Sequence, residues 1–334
     1  MTVAPEPATP ETAELVRAGG EHVPPLLRAV ETRLRADAVA HGAPLDEQGS
    51  ATVAAGGKRL RPLLVLLAGG PPRSPEQEDA LICSAAAVEL VHSATLVHDD
   101  VLDAASLRRG RPTVVARGGR GMATAAGDLL FARAFAELTG APAGDRAEAV
   151  RILSDACSAL ARGELLQRAD AWDAGITQER YLLRCEFKTA RLFEAACALG
   201  THAAGEPELG LDRFGRRIGL AFQLLDDVLD VSGPSSRTGK HRGTDLLDGT
   251  VTLPFITARE RDPRLAALDP RSIRTPEAAE EVCERIAATG ALDEARTMAL
   301  VLVDEARAEL PERLGPRRRE ALELVAGGVV ARYA

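Results

Sequence analysis

Aromatic side chains are scarce: seven Phe, two Tyr and one Trp make up 3% of the 334 residues. Strands draw on aromatic and β-branched residues, so this shortage disfavours an all-β sandwich and favours a core of close-packed aliphatic helices. An excess of basic charge is missing too, since 41 Lys and Arg stand against 49 Asp and Glu, a formal net of −8. General nucleic-acid binding needs clustered cations for phosphate contacts, and electrostatic docking on an anionic membrane needs the same. The acidic balance argues against both. The five cysteines (Cys83, Cys157, Cys185, Cys197, Cys283) are odd in number and include no Cys-x-x-Cys. They read as reduced, buried thiols of a cytoplasmic protein, without a disulfide framework or a zinc site. No apolar run approaches the ~18 residues of a membrane span; the longest, Leu63 to Gly70, reads as a core segment. The start, MTVAPEPATPETAE, lacks the basic and apolar regions of a signal peptide and predicts a flexible tail over residues 1–18.

What is present is helical patterning. From Pro75 to Asp103 there is neither Pro nor Gly, and apolar residues such as Leu81, Val88, Val91 and Leu102 recur at helical spacing. The pattern breaks at Pro112 and Arg117-Gly-Gly-Arg-Gly121, then resumes from about Met122 to Leu138. Further helices are predicted over Arg146 to Arg168, Thr177 to Leu199 and Leu209 to Val231, with shorter amphipathic ones after Pro254. No strand-like alternation persists and no linker divides the chain. The expected fold class is all-α, with residues 19–334 as a single domain.

One pentapeptide pattern occurs twice: Asp99-Asp100-Val101-Leu102-Asp103 and Asp226-Asp227-Val228-Leu229-Asp230. On a helix, residues i and i+4 share a face, so Asp99 projects with Asp103 and Asp226 with Asp230. Like charges at that spacing destabilise a helix unless something neutralises them. A single pentad could be a solvated acidic turn. Two, each with Val-Leu inside and apolar flanks, place carboxylates where a helix enters the core. Paired clusters of hard oxygen ligands suit Mg²⁺, which takes a few carboxylates together with substrate phosphates and water. Gln223, Asp226, Asp227 and Asp230 form one stripe; His92, Thr95, Asp99 and Asp103 form another. His98 falls outside it and reads as structural.

Cations lie near both clusters. Gly56-Gly-Lys-Arg-Leu-Arg-Pro62 sets Lys58 and Arg61 beside glycines that allow close backbone approach, an arrangement able to grip phosphate. Arg108-Arg109-Gly-Arg-Pro112 follows the first pentad by five residues, and Lys240 lies in a Gly-rich loop ten residues past the second. Lys188-Thr189 sits in a helical stretch. Taken singly, each cation could be a surface charge; together they complete a diphosphate site, with metal on one side and Lys and Arg on the other.

These motifs resemble the trans-polyprenyl diphosphate synthases, the head-to-tail prenyltransferases of the isoprenoid synthase fold. The resemblance spans roughly residues 20–334 and rests on GGKRLRP (56–62), HSATLVHDDVLDAASLRRGRPT (92–113), GDLLFARAF (127–135), FKTARLF (187–193), FQLLDDVLD (222–230) and GKHRGTDLLDGTVTLP (239–254), in family order. It implies a type I helical bundle around a central cavity and about three Mg²⁺ ions per site held by Asp99, Asp100, Asp103, Asp226, Asp227 and Asp230. It further implies that Arg108, Lys188 and Lys240 hold the allylic diphosphate, that Lys58, Arg61, His92 and Arg109 hold isopentenyl diphosphate, and that Thr189 and Gln223 flank the developing carbocation. A homodimer is implied as well.

In this family, bulky residues four and five positions before the first pentad stop elongation early. Here those positions are Thr95 and Ala94, which resembles the long-chain enzymes, with Phe131 and Phe135 as candidates for a deeper tunnel floor. Two departures stand out. Thr250 replaces a Lys common after Asp-Leu-x-x-Gly, and Arg117 to Gly121 lacks an aromatic often found there. The alternatives are a short-chain synthase making farnesyl or geranylgeranyl diphosphate, a terpene cyclase of the same fold, and a non-catalytic subunit of a two-component synthase.

Overall fold

The computed structural model describes residues 10–331 except 39–41, 43, 44, 55–58, 109, 142–144 and 234–241. Lys58, Arg109 and Lys240 therefore lie outside the described residues. The chain is all-α: the strands among the described residues are two-residue arms, β1 (Leu107–Arg108) and β2 (Arg111–Pro112), paired antiparallel. It divides into two compact units.

The first unit comprises residues 1–157, 192–212 and 310–325. Its helices include α1 (Pro10–Ala18), α2 (Val23–Asp37), α3 (Leu45–Ala54), α4 (Leu60–Gly69), α5 (Pro75–Leu102) and α6 (Val114–Gly140). Part of the expected tail is thus helical, and Leu15 of α1 is buried. α5 starts where Ser74 accepts a hydrogen bond from the Gln77 N–H at 3.3 Å, with Pro75 in the first turn. α6 begins eight residues earlier than its apolar pattern indicates, because Thr113 caps it by accepting from Ala116 N–H at 3.1 Å. The glycine run appears as a break at Gly119, where φ is 76°.

α5 and α6 pack closely. A side chain at Gly127 would collide with the His98 imidazole, so glycine is what lets these two helices meet. His98 also stacks on Phe131, with ring centroids 5.7 Å apart, and its Nε2 lies 3.3 Å from the Thr124 carbonyl. It is a packing residue. By length and mean hydropathy (1.7) α5 is apolar enough to cross a membrane, but 83% of that window is buried inside the protein. Its residues are buried without interruption from Ala80 to Val91, so every side of that stretch faces the core.

The second unit comprises residues 158–191, 213–309 and 326–334. Between α8 (Gln178–Cys185) and α9 (Arg191–Ala203) the helix widens into a single π turn, Glu186–Ala190, in which the Arg191 N–H reaches back five residues to the Glu186 carbonyl. π turns interrupt regular helices mostly at functional sites. α10 (Leu211–Ser232) buries Leu224, Leu225, Val228 and Val231. All five cysteines are free thiols, four of them buried.

Candidate active site

The first pentad closes α5. Asp99 and Asp100 lie in its last turn, and Asp103 caps it, its N–H donating to the Asp99 carbonyl at 2.8 Å. The three carboxylates differ in placement. Asp100 is buried and accepts from Arg108 Nε at 2.8 Å, while Asp99 is half-buried and Asp103 exposed. Arg108 reaches Asp100 because the chain turns back through β1 and β2, helped by Ala104 at φ 49° and by Thr113 Oγ1, which donates to the Ala105 carbonyl at 2.6 Å. One helical row further back, the Thr95 hydroxyl donates to the His92 carbonyl at 2.8 Å, and Ala94 is fully buried. His92 and Thr95 are half-buried, as are Phe131 and Phe135 on α6.

In the Gly-Gly-Lys-Arg-Leu-Arg segment the two described arginines do different work. Arg59, at φ 47°, bonds Glu31 and Glu89 at 2.6 Å each and the Val53 carbonyl at 2.8 Å, tying α2, α3, α4 and α5 together. Arg61 stacks on the Phe193 ring with its guanidinium carbon 4.6 Å from the centroid. Its Nε is enclosed and finds no hydrogen-bond partner among the described residues. Burial pushes this guanidinium down to about 10, opposed by the nearby Glu89 charge. A desolvated cation with an unsatisfied donor is what an anion-binding site needs before its anion arrives.

The second pentad again buries its second aspartate, with the outer two in reversed order of exposure. Asp226 is exposed, Asp227 buried and Asp230 half-buried. Both Asp227 oxygens are engaged: Oδ2 accepts from the Tyr181 hydroxyl at 2.6 Å and Oδ1 from Gln223 Nε2 at 2.7 Å. Burial, then the Asp245 charge, pushes the Asp227 carboxyl up to about 8, while its two donors pull it down. Burial, followed by the Asp227 charge, also raises the Tyr181 phenol. Gln223 Oε1 in turn accepts from the Thr189 hydroxyl at 2.6 Å. Asp230 Oδ2 accepts from the Asp245 N–H at 3.2 Å, joining the pentad to the Asp-Leu-Leu-Asp-Gly turn.

Lys188 and Thr189 are neighbours in the π turn. Lys188 Nζ pairs with Glu164 at 2.5 Å, and Gly163 has no side chain because the Lys188 backbone occupies that space. Arg184, 3% exposed, donates to the Val251 carbonyl at 2.5 Å, directly after Thr250. The structure thus joins Thr189, Gln223 and Asp227 in one chain and Arg108 to Asp100. It pairs Lys188 with a carboxylate that the sequence reading did not consider. Tyr181, Glu164 and Asp245 join these residues through contacts that no motif spacing indicates. For Tyr181 the available signal was rarity, as one of two tyrosines in the chain.

Among the described residues, no group of three or more His, Cys, Asp or Glu forms a ready-made metal cage. The donor set still fits Mg²⁺, which accepts one or two carboxylates and completes its octahedron with phosphate oxygens and water. Asp99 with Asp103, and Asp226 with Asp230, are the less buried carboxylates of their pentads and would serve in that way.

Acidic pentads close to the C-terminal ends of two long helices, one of them paired with Arg108, suit the handling of a metal-bound diphosphate. Comparison with known proteins makes this specific. The polyprenyl synthetase family model matches residues 43–289. The chain is 41% identical over 238 residues to heptaprenyl diphosphate synthase component 2 of Geobacillus stearothermophilus, covering 70% of this chain and 72% of that one. It is 36% identical over 286 residues to octaprenyl diphosphate synthase of Escherichia coli (strain K12), covering 83% and 87%. A crystal structure of a polyprenyl synthase from Caulobacter crescentus CB15, complexed with calcium and isoprenyl diphosphate, is 34% identical, covers 99% of this chain and 100% of that one, and superposes with a TM-score of 0.84. The chain belongs to the polyprenyl synthetase family. It is a prenyltransferase with the helical isoprenoid synthase fold.

Proposed function

We propose that this protein condenses isopentenyl diphosphate with an allylic prenyl diphosphate, head to tail, to make a long-chain all-trans polyprenyl diphosphate, with residues 19–334 acting as one domain. The observation that carries the reading is the repeated pentad in which the second aspartate is buried against protein donors and the first and last are more open. Mg²⁺ bound at those open carboxylates would neutralise the leaving diphosphate and act as a Lewis acid. Arg108, Lys188 and Lys240 add fixed positive charge to the same group, which stabilises the transition state where charge accumulates. The allylic C–O bond breaks and diphosphate leaves with the electron pair. Thr189 and Gln223 flank the cation left behind. Lys58, Arg61, His92 and Arg109 hold isopentenyl diphosphate so that its double bond attacks that carbon. A proton is then lost, restoring the double bond. The departing diphosphate is the acceptor, since none of these side chains is an evident base.

The small, fully buried Ala94 supports a long product, with Thr95 beside it and Phe131 and Phe135 further along. So do relatives whose names specify heptaprenyl and octaprenyl products. The working form is a cytoplasmic homodimer. Similarity to a synthase component makes a two-component assembly the alternative, and sedimentation of the purified chain separates the two. The deciding assay supplies isopentenyl diphosphate, Mg²⁺ and, in turn, geranyl, farnesyl and geranylgeranyl diphosphate, and measures product length by chromatography. Extension well beyond geranylgeranyl is expected. A product that stops at farnesyl or geranylgeranyl overturns the long-chain assignment, and no release of diphosphate overturns catalysis by this chain alone.

A further inference from the structure

Four side chains of the second unit form one hydrogen-bonded line: Tyr181 OH to Asp227 Oδ2 (2.6 Å), Gln223 Nε2 to Asp227 Oδ1 (2.7 Å) and Thr189 Oγ1 to Gln223 Oε1 (2.6 Å). Each link has a polarity that follows from the one before. Tyr181 donates to Oδ2, which turns the carboxyl so that Oδ1 faces Gln223 as an acceptor. Gln223 must then turn its NH₂ to Asp227 and its carbonyl to Thr189. The Thr189 hydroxyl has one proton and spends it on that carbonyl. What remains at Thr189 Oγ1 is lone pairs.

We propose that Tyr181, acting through Asp227, is a positioning residue that fixes the amide orientation of Gln223 and so makes Thr189 present lone pairs to the reacting carbon. The inference rests on the prenyl-transfer reading, in which Thr189 and Gln223 stand beside the allylic cation. It assigns the second aspartate of this pentad to orientation, leaving metal binding to Asp226 and Asp230. Without Tyr181, Asp227 Oδ2 loses the donor that holds it, and the carboxyl can turn about its stem. Gln223 can then flip, and the hydroxyl proton of Thr189 is released to point at the cation. Neutral acceptor oxygens stabilise a positive centre without offering it a strong nucleophile; an O–H dipole reversed toward it does the opposite.

The test compares binding of two inert probes to wild type and Tyr181→Phe. One is the thiolo analogue of geranyl diphosphate, neutral at its prenyl chain; the other carries an ammonium nitrogen in place of the reacting carbon. Tyr181→Phe is expected to weaken the ammonium probe by about 10-fold and leave the thiolo probe within about 2-fold, with kcat down about 10-fold and KM little changed. Thr189→Val should reproduce this pattern and Thr189→Ser should retain wild-type discrimination, while Tyr181→Phe with Thr189→Val should cost no more than either alone. Equal losses for both probes, or none, overturn the proposal. If Tyr181→Phe does not fold, the Thr189 pair decides: equal behaviour of Val and Ser overturns it. Failure of wild type to release diphosphate or extend a primer would instead strike the prenyl-transfer reading itself.

Discussion

Replacing Arg61 by Met should make the protein more stable and less active. The guanidinium is pushed down to about 10 by burial, its Nε lacks a partner among the described residues, and its compensation is the Phe193 face 4.6 Å away. At about 1.4 kcal/mol per tenfold change in acidity, holding the charge there costs roughly 3 kcal/mol. Losing the cation–π contact returns about 1 kcal/mol of that. Methionine keeps an unbranched apolar stem against the ring. A net stabilisation of about 2 kcal/mol remains, which for a chain of this size raises Tm by about 3 °C. Function should move the other way. A guanidinium–phosphate hydrogen bond is worth about 1.5–3 kcal/mol, so KM for isopentenyl diphosphate should rise by about 10- to 100-fold. Melting curves with and without isopentenyl diphosphate, together with steady-state kinetics, read both effects, and the stabilisation that ligand gives wild type should shrink in the variant. A lower Tm with an unchanged KM would refute the reasoning, because it would mean that Arg61 is a satisfied structural cation like Arg59.

Asp99→Ala and Asp226→Ala should each reduce turnover by about a thousandfold or more while leaving far-UV circular dichroism unchanged, since neither carboxylate is buried; near-normal turnover in either variant would remove that residue from the metal site. Ala94→Phe should shorten the product, at an overpacking cost of about 1–3 kcal/mol because Ala94 is fully buried; an unchanged product takes that position out of the tunnel. Glu137, buried on α6 beside Arg33 and Arg133, has its carboxyl raised by burial and then by the Asp37 charge. An acid raised in the folded state binds its proton more tightly than in the unfolded chain, so its contribution falls as pH rises from its ordinary 4.5 through the raised value. Glu137→Gln should therefore lose less Tm than wild type between acid and neutral pH, and parallel curves would contradict the assignment.

Helical periodicity, caps and breakers act within a few residues of one another, and so they are legible in the sequence alone. The long helix from Pro75, the break at the glycine run and the two pentads on helices all follow from spacing. The site residues quoted in the motifs carried the family resemblance for the same reason: they are contiguous. Some local features were nonetheless missed. The early start of α6 at Val114 depends on Thr113 turning its hydroxyl to Ala116, and the π turn at Glu186–Ala190 leaves the apolar pattern nearly intact.

The tertiary structure decided which side chains meet. Tyr181 reaches Asp227 across 46 positions, Glu164 reaches Lys188 across 24, and Gly127 is a glycine because His98 needs its space. Chemically identical aspartates in each pentad acquire different roles the same way. Asp100 and Asp227 are buried, held by Arg108 and by Tyr181 with Gln223, while Asp99, Asp103, Asp226 and Asp230 lie nearer to solvent. Spacing places a carboxylate on a face of its helix, but only the packing of other elements against that face settles how far the carboxylate is desolvated.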